Sequence, residues 1–97
     1  VIQSFKNKAS EDIFNGKNTK GARRVCPKTL WKVASRKLDQ IDSAKSIEDL
    51  RIPTSNKLES LKGDRFGQYS IRINEQYRIC FEWKDSGPEK VDILDYH

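Results

Sequence analysis

The feature that most constrains this chain is a change of period near residue 58. Before it, apolar residues recur every three or four positions; after it, they recur every second one. Leu30, Ala34, Leu38 and Ile41 are spaced by four, four and three, which is one face of a helix. Further on, Tyr69, Ile71 and Ile73 alternate with Ser70, Arg72 and Asn74. Tyr77, Ile79, Phe81 and Trp83 then alternate with Arg78, Cys80 and Glu82. Val91, Ile93 and Asp95 alternate with Asp92, Leu94 and Tyr96. Asn74-Glu75 and Asp85-Ser86-Gly87-Pro88 punctuate these runs as turns. Three strands joined by short turns predict an antiparallel meander. Helices followed by consecutive strands predict an α+β fold, with N-terminal helices packed on one face of a small sheet. At 97 residues the expectation is one domain, 1–97.

The remaining segments are shorter. Residues 1–5 are apolar and β-favouring and predict a strand. Residues 9–15 predict a short helix around Ile13 and Phe14, stopped by Gly16. Residues 17–26 are polar and basic, with no assigned structure. Pro27 fits the first turn of the helix that carries Leu30–Ile41. Ser46-Ile47-Glu48-Asp49 resembles a capping box, and Pro53-Thr54-Ser55-Asn56 a turn. Leu58–Leu61 is a short strand candidate, and Gly63-Asp64 with Gly67 bracket another turn.

Charge is unevenly placed. The net charge is +5, but residues 1–62 hold 14 basic against 7 acidic residues, whereas 63–97 hold 5 against 7. Lys17, Lys20, Arg23, Arg24, Lys28, Lys32, Arg36 and Lys37 follow one another with no acid between them. Such a run attracts a polyanion or an acidic surface; the plainer reading is a solvated helix face. Strand alternation adds a second basic surface. It places Ile71, Ile73, Ile79, Phe81, Val91 and Ile93 toward a core. Arg72, Arg78 and Tyr96 share the other face, which helices would not cover or which is simply wetted.

Several functions are made improbable by what the chain lacks. Two cysteines, Cys26 and Cys80, stand far apart without a Cys-x-x-Cys spacing, too few for a structural zinc site or a disulfide scaffold. The single histidine is His97. No apolar run approaches the ~20 residues of a membrane span, and no signal-peptide pattern opens the sequence, so a cytoplasmic protein with no membrane partner is expected. The inventory suits RNA cleavage without a metal: a group titrating near neutrality at His97, cations at Arg78 and Lys62, an aromatic at Tyr96 and a carboxylate at Asp95. The residues by themselves lead to an RNA- or anion-binding module.

Four ordered pieces carry a resemblance. They are Leu58-Glu59-Ser60-Leu61-Lys62-Gly63-Asp64-Arg65, Gly67-Gln68-Tyr69-Ser70-Ile71-Arg72-Ile73-Asn74, Tyr77-Arg78-Ile79-Cys80-Phe81 and the terminal Asp95-Tyr96-His97. Together, and with Ile2-Gln3-Ser4-Phe5 and Arg36-Lys37-Leu38, they resemble the HigB toxins of the RelE/ParE toxin–antitoxin superfamily. The resemblance implies helices on a curved antiparallel sheet. It also implies a ribosome-dependent, metal-independent mRNA endonuclease that needs no cofactor. The implied partners are the ribosome, mRNA and a helix-turn-helix antitoxin similar to HigA, with operator DNA reached only through that antitoxin.

By matched position, Lys62 corresponds to a basic residue of the catalytic cleft and Arg78 to the arginine on the scissile phosphate. Asp95, Tyr96 and His97 correspond to the catalytic C-terminus. Some HigB toxins have a histidine where this chain has Glu59, which is read either as a general base or as a spacer. Lys28, Lys32, Arg36, Lys37 and Arg72 are assigned to RNA or ribosome contact. The competing readings are a ParE-like toxin that inhibits gyrase by binding, and a basic binding module without nuclease activity.

Overall fold

The computed structural model describes residues 1–96; His97 lies outside the described residues. Three helices, α1 (Lys8–Phe14), α2 (Lys20–Val25) and α3 (Trp31–Ser43), precede four strands. The strands are β1 (Glu59–Ser60), β2 (Gln68–Arg72), β3 (Tyr77–Lys84) and β4 (Gly87–Asp95). Short 3-10 turns at Lys28–Leu30, Ile47–Arg51, Thr54–Asn56 and Gly63–Arg65 fill the connections. The sheet runs in the order β1-β2-β3-β4, every pair antiparallel. The α+β expectation therefore holds, meander included.

Helix starts are set by side chains that cap free N–H groups. Asn7 Oδ1 accepts from Ser10 N at 2.8 Å to open α1. Thr19 Oγ1 accepts from Ala22 N at 3.1 Å to open α2, and the same hydroxyl donates to Asp12 Oδ2 at 2.9 Å, tying α2 to α1. The Lys8 ammonium, 3.0 Å from Asp12, and the Thr19 hydroxyl hold the Asp12 carboxyl below its ordinary range. Helix α2 occupies the basic stretch for which no structure was expected. Its own propensity is modest, and the signal that opens it is the Thr19 cap. Pro27 does not begin α3; it precedes the 3-10 turn Lys28–Leu30, and α3 starts at Trp31.

Ala34, Leu38 and Ile41 of α3 are fully buried with Ile71, Ile79, Phe81, Val91 and Ile93 of the sheet. Each fully buried aliphatic or aromatic side chain contributes roughly 1.5–3 kcal/mol. The helices and the apolar sheet face thus form one core.

Residues 1–5 do not form a strand. Phe5 makes a single parallel bridge to Val91, and the segment runs beside β4 through Gln3 N to Pro88 O (2.8 Å), Val91 N to Ser4 O (3.1 Å) and Lys6 N to Val91 O (2.9 Å). The reason is a bulge. Cys80 faces Asp92 but Glu82 faces Glu89, so β4 holds one extra residue, and Lys90 takes a positive φ of 53° there. The kink breaks the regular spacing that a full ladder needs. The side chains Ser4 and Ser10 complete the edge: Ser4 Oγ accepts from Lys90 N at 2.9 Å and Ser10 Oγ from Ile93 N at 3.1 Å. An edge that would otherwise present open N–H groups is closed by the chain's own beginning.

Ser10 is fully buried, so Ser10→Ala leaves the Ile93 N–H without its acceptor. It is expected to lower unfolding free energy by about 1–3 kcal/mol, read as a shift of the urea midpoint at unchanged slope. A midpoint equal to the parent's would show that the edge is satisfied by another route.

Candidate active site around Arg78

β3 is an interior strand of the sheet and is buried from Arg78 to Phe81. Ile79 and Phe81 enter the apolar core. Arg78 and Cys80 point the other way, where register aligns Ser70, Cys80 and Asp92 across three strands. All three are buried, and Asn7 Nδ2 donates to Asp92 Oδ1 at 3.0 Å. The second face of the sheet is therefore a covered polar stripe rather than a wetted surface.

Arg78 is 9% exposed. Its Nη1 lies 2.6 Å from Glu59 Oε1 and donates to Ser70 Oγ at 3.3 Å. The guanidinium carbon lies 5.0 Å from the centre of the Tyr96 ring, a cation–π contact. Glu59 faces Ser70 in the β1–β2 register and so shares this face. Tyr96 follows Leu94, which faces Arg78, by one full alternation. Three residues far apart in sequence thus converge on one guanidinium. Its environment is two-sided: the Arg78 side chain is 11% exposed, the Glu59 side chain 51%. The cation is held in place while its carboxylate partner opens to solvent.

Arg72 stands directly opposite Arg78 across β2 and β3. Like charges in that position repel. Arg72 Nε is buried and has no hydrogen-bond partner among the described residues. Two facing guanidiniums, of which Arg78 alone is paired with a carboxylate, Glu59, leave a positive surplus, which is the electrostatic form of an anion site.

The other expected residues lie as follows. Lys62 is exposed and extended, at the start of the turn that joins β1 to β2. Asp95 faces Tyr77, on the opposite side of β4 from Tyr96 by alternation, and its Oδ2 accepts from Gln76 Nε2 at 3.1 Å. The assignment made for His97 lies outside the described residues.

Lys28, Lys32 and Arg36 are exposed, as a docking surface requires. Lys37 is not available to RNA or ribosome. It is 5% exposed, and its Nζ donates to Asn56 Oδ1. Asn56, itself fully buried, also donates to Gln40 Oε1 and Leu50 O at 3.1 Å each. Burial, and secondarily the neighbouring Arg36, push the Lys37 ammonium below its ordinary pKa. Lys37 sits one position beyond the exposed repeat Lys28–Lys32–Arg36, which turns it inward with Leu38.

The site residue that sequence reasoning passed over is Ser70. Its signal was present, since alternation puts it on the face of Arg72, yet a lone serine announces no partner. Cys80 is fully buried on the site's face, and burial pushes its thiol up to about 11, so it is no nucleophile at neutral pH. Burial does the same to Cys26. A cavity of about 390 Å³ lined by Val1, Asp42, Trp83 and Gly87, among others, holds none of the expected site residues.

Residues 3–97 match the family described as the RelE-like toxin of type II toxin–antitoxin system HigB. The chain is 38% identical over 93 residues to Toxin HigB-1 of Vibrio cholerae, covering 96% of this chain and 94% of that one. It is 32% identical over 97 residues to Endoribonuclease HigB of Proteus vulgaris, covering all of both. Among solved structures, the YoeB dimer of Staphylococcus aureus superposes with a TM-score of 0.62 at 26% identity, over 99% of this chain and 94% of that one. A YoeB–YefM complex from the same organism gives 0.62 at 20% identity over 100% and 98%.

Because Arg78 is buried and Glu59 half-exposed, the two halves of the pair are unequal. Glu59→Gln leaves a buried guanidinium short of its carboxylate and is expected to cost roughly 1–2 kcal/mol. Added inorganic phosphate should restore part of that loss in Glu59→Gln and do less for the parent, measured as the change in thermal midpoint. Equal phosphate effects on both proteins would show that Glu59 and an anion do not compete for Arg78.

Proposed function

The chain belongs to the RelE-like HigB toxins of type II toxin–antitoxin systems, and on that premise we propose that it is an endoribonuclease that cuts mRNA on the ribosome. The observation that carries this reading is the buried guanidinium of Arg78 bracketed by an aromatic ring and a carboxylate. RNA cleavage of this kind needs three things. A base takes the proton of a 2′-hydroxyl, whose oxygen then bonds to phosphorus. Fixed cations offset the charge that builds on the phosphoryl oxygens. An acid gives a proton to the departing 5′-oxygen.

In this reading Arg78 holds the scissile phosphate, preorganised by Ser70 and by stacking on Tyr96. Arg72 and Lys62 add positive charge along the strand. A phosphate arriving at Arg78 competes with Glu59, and the carboxylate it displaces is the nearest base to the 2′-hydroxyl. His97, the residue after Tyr96 in the sequence, is the source of the proton for the leaving group; Asp95, on the other side of β4 and bonded to Gln76, is not part of the Arg78 face. Tyr96 also positions a base by stacking. Glu59, where some HigB toxins have a histidine, makes a carboxylate–arginine pair the resting state of the site.

The whole chain, 1–97, acts as one toxin domain in the cytoplasm. Its partner is an antitoxin, of the helix-turn-helix type similar to HigA, and operator DNA is contacted only through it. Among the described residues no helix is long and apolar enough to cross a membrane. The exposed row Lys28, Lys32 and Arg36 supports docking on ribosomal RNA, where phosphate neutralisation makes association salt-dependent.

Two predictions test this. Brief induction followed by mapping of mRNA 5′ ends should show cuts in register with the reading frame. Arg78→Ala should lose about 100–1000-fold in cleavage rate and His97→Ala about 100–10,000-fold. A gyrase-dependent arrest with intact mRNA would instead assign the chain to binding inhibition. Separately, reversing Lys28, Lys32 and Arg36 to Glu should weaken pelleting with ribosomes while leaving the fold's circular dichroism unchanged. Pelleting that equals the parent's across a salt series would return this row to a merely solvated face.

A further inference from the structure

The chain has nine aromatic residues, and seven of them belong to the core or pack against it. The two exposed ones are Phe66, 76% exposed, and Tyr96, 41% exposed. Tyr96 already lies on Arg78. Phe66 has no polar atom to account for its exposure and sits in the turn between β1 and β2, the two strands that bring Glu59 and Ser70 to the same guanidinium.

That turn is built to hold the ring out. Gly63 and Gly67 flank it with φ of +64° and +93°, conformations that other residues rarely adopt. Phe66 N donates to Gly63 O at 3.1 Å and Arg65 N to Lys62 O at 3.3 Å, closing a 3-10 turn, while Leu61 N donates to Gln68 O at 2.8 Å across its base. Arg65 Nη1 donates to Gln68 Oε1 at 3.0 Å, which fixes a cation in the same turn. Lys62 adds a second. From Phe66 to Ser70 is four residues, no more than about 14 Å of chain.

We propose that Phe66 is a stacking platform for a nucleobase of the single-stranded RNA lying across Arg78, at a position outside the scissile linkage, and that it sets which flanking nucleotide the toxin tolerates. The proposal rests on the endoribonuclease reading above. Its physical basis is that an aromatic face beside cations tracks a nucleic-acid strand, the cations holding phosphates and the ring a base. With Tyr96 on one side of Arg78 and Phe66 beyond Ser70 on the other, the strand would be gripped at both ends of the anion site. The cations of the turn, Lys62 and Arg65, favour RNA over an apolar protein surface.

The test is single-turnover cleavage on ribosomes programmed with a short mRNA, using the full chain and an Arg78→Ala control. Phe66→Ala should weaken the apparent affinity roughly five- to a hundredfold with little change in the rate at saturation. Phe66→Leu, which keeps the apolar bulk but loses the π face, should behave like Phe66→Ala, and Phe66→Trp like the parent. An abasic nucleotide placed at one flanking position should cost the parent as much as Phe66→Ala does, and cost Phe66→Ala nothing further. Phe66→Leu indistinguishable from the parent, or no abasic position that removes the effect of the substitution, would overturn the proposal. So would Phe66→Ala that cleaves normally but loses affinity for the antitoxin, an outcome that assigns the ring to a protein partner. If the parent cuts no better than Arg78→Ala, the nuclease reading itself fails and this one with it. If Arg78→Ala is inactive while every Phe66 variant matches the parent, only this one fails.

Discussion

A guanidinium buried in the middle of a sheet is the interaction on which the site depends. Taking a cation out of water is costly unless it is paired and hydrogen-bonded. Arg78 is 9% exposed, on a strand whose both edges are occupied. The partners that offset the cost come from different places: Glu59 from β1, Ser70 from β2, and the ring of Tyr96 at the end of β4. β1 is only two residues long, yet its pairing with β2 is what delivers the carboxylate. The electrostatic demand of one side chain thus gives a reason for an edge strand too short to contribute much packing.

The same sheet is divided by alternation into an apolar face and a polar one, and both are covered. On the first, α3 buries Ala34, Leu38 and Ile41 against Ile71, Ile79 and Phe81. On the second, Ser70, Cys80 and Asp92 line up and Asn7 reaches over to Asp92. Asn7 also caps α1, and Ser10 of α1 closes the β4 edge. The beginning of the chain is therefore structural in three ways at once: cap, edge closure and lid on the polar stripe. The solvent-facing parts of the site are left to the β1–β2 turn and the end of β4.

This arrangement bears on how a RelE-like toxin could work with a carboxylate where relatives of its family can hold a histidine. Arg72 and Arg78 face each other, and Arg78 is paired with the half-exposed Glu59. A substrate phosphate fits the same electrostatic slot, since both are oxyanions hydrogen-bonded by a guanidinium. In the proposed cleavage, binding and activation are coupled: the group that leaves Arg78 is the group free to accept a proton. Lys28 in the turn before α3, and Lys32 and Arg36 on α3, lie on different elements from the Arg78 site, so the proposed ribosome docking and the proposed chemistry can be altered separately.

Much of this was legible in the sequence. The change of period near residue 58 determined helices followed by an antiparallel meander, because period two and period 3.6 are incompatible with one another's geometry. Alternation alone put Arg72, Arg78 and Tyr96 on one face, and it also set the core residues of β2, β3 and β4. The motif resemblance matched Lys62, Arg78 and the terminal triplet to family positions. Other features were decided only in three dimensions. The β4 bulge turned residues 1–5 from a strand into a bridged edge segment, since one extra residue on β4 is invisible to an alternation pattern. Helix α2 needed the Thr19 hydroxyl, which works by bonding Asp12 of α1 as well as its own backbone. Lys37 reads as one more cation in a basic run, yet rotation by one helical position carries it from solvent to Asn56. Glu59 reads as a general base or a spacer, and its pairing with Arg78 follows from the register of β1 on β2 and the reach of two side chains. Periodicity specifies which side of an element a residue occupies; which groups meet across elements is settled by packing, where burial sets the cost of leaving a charge alone.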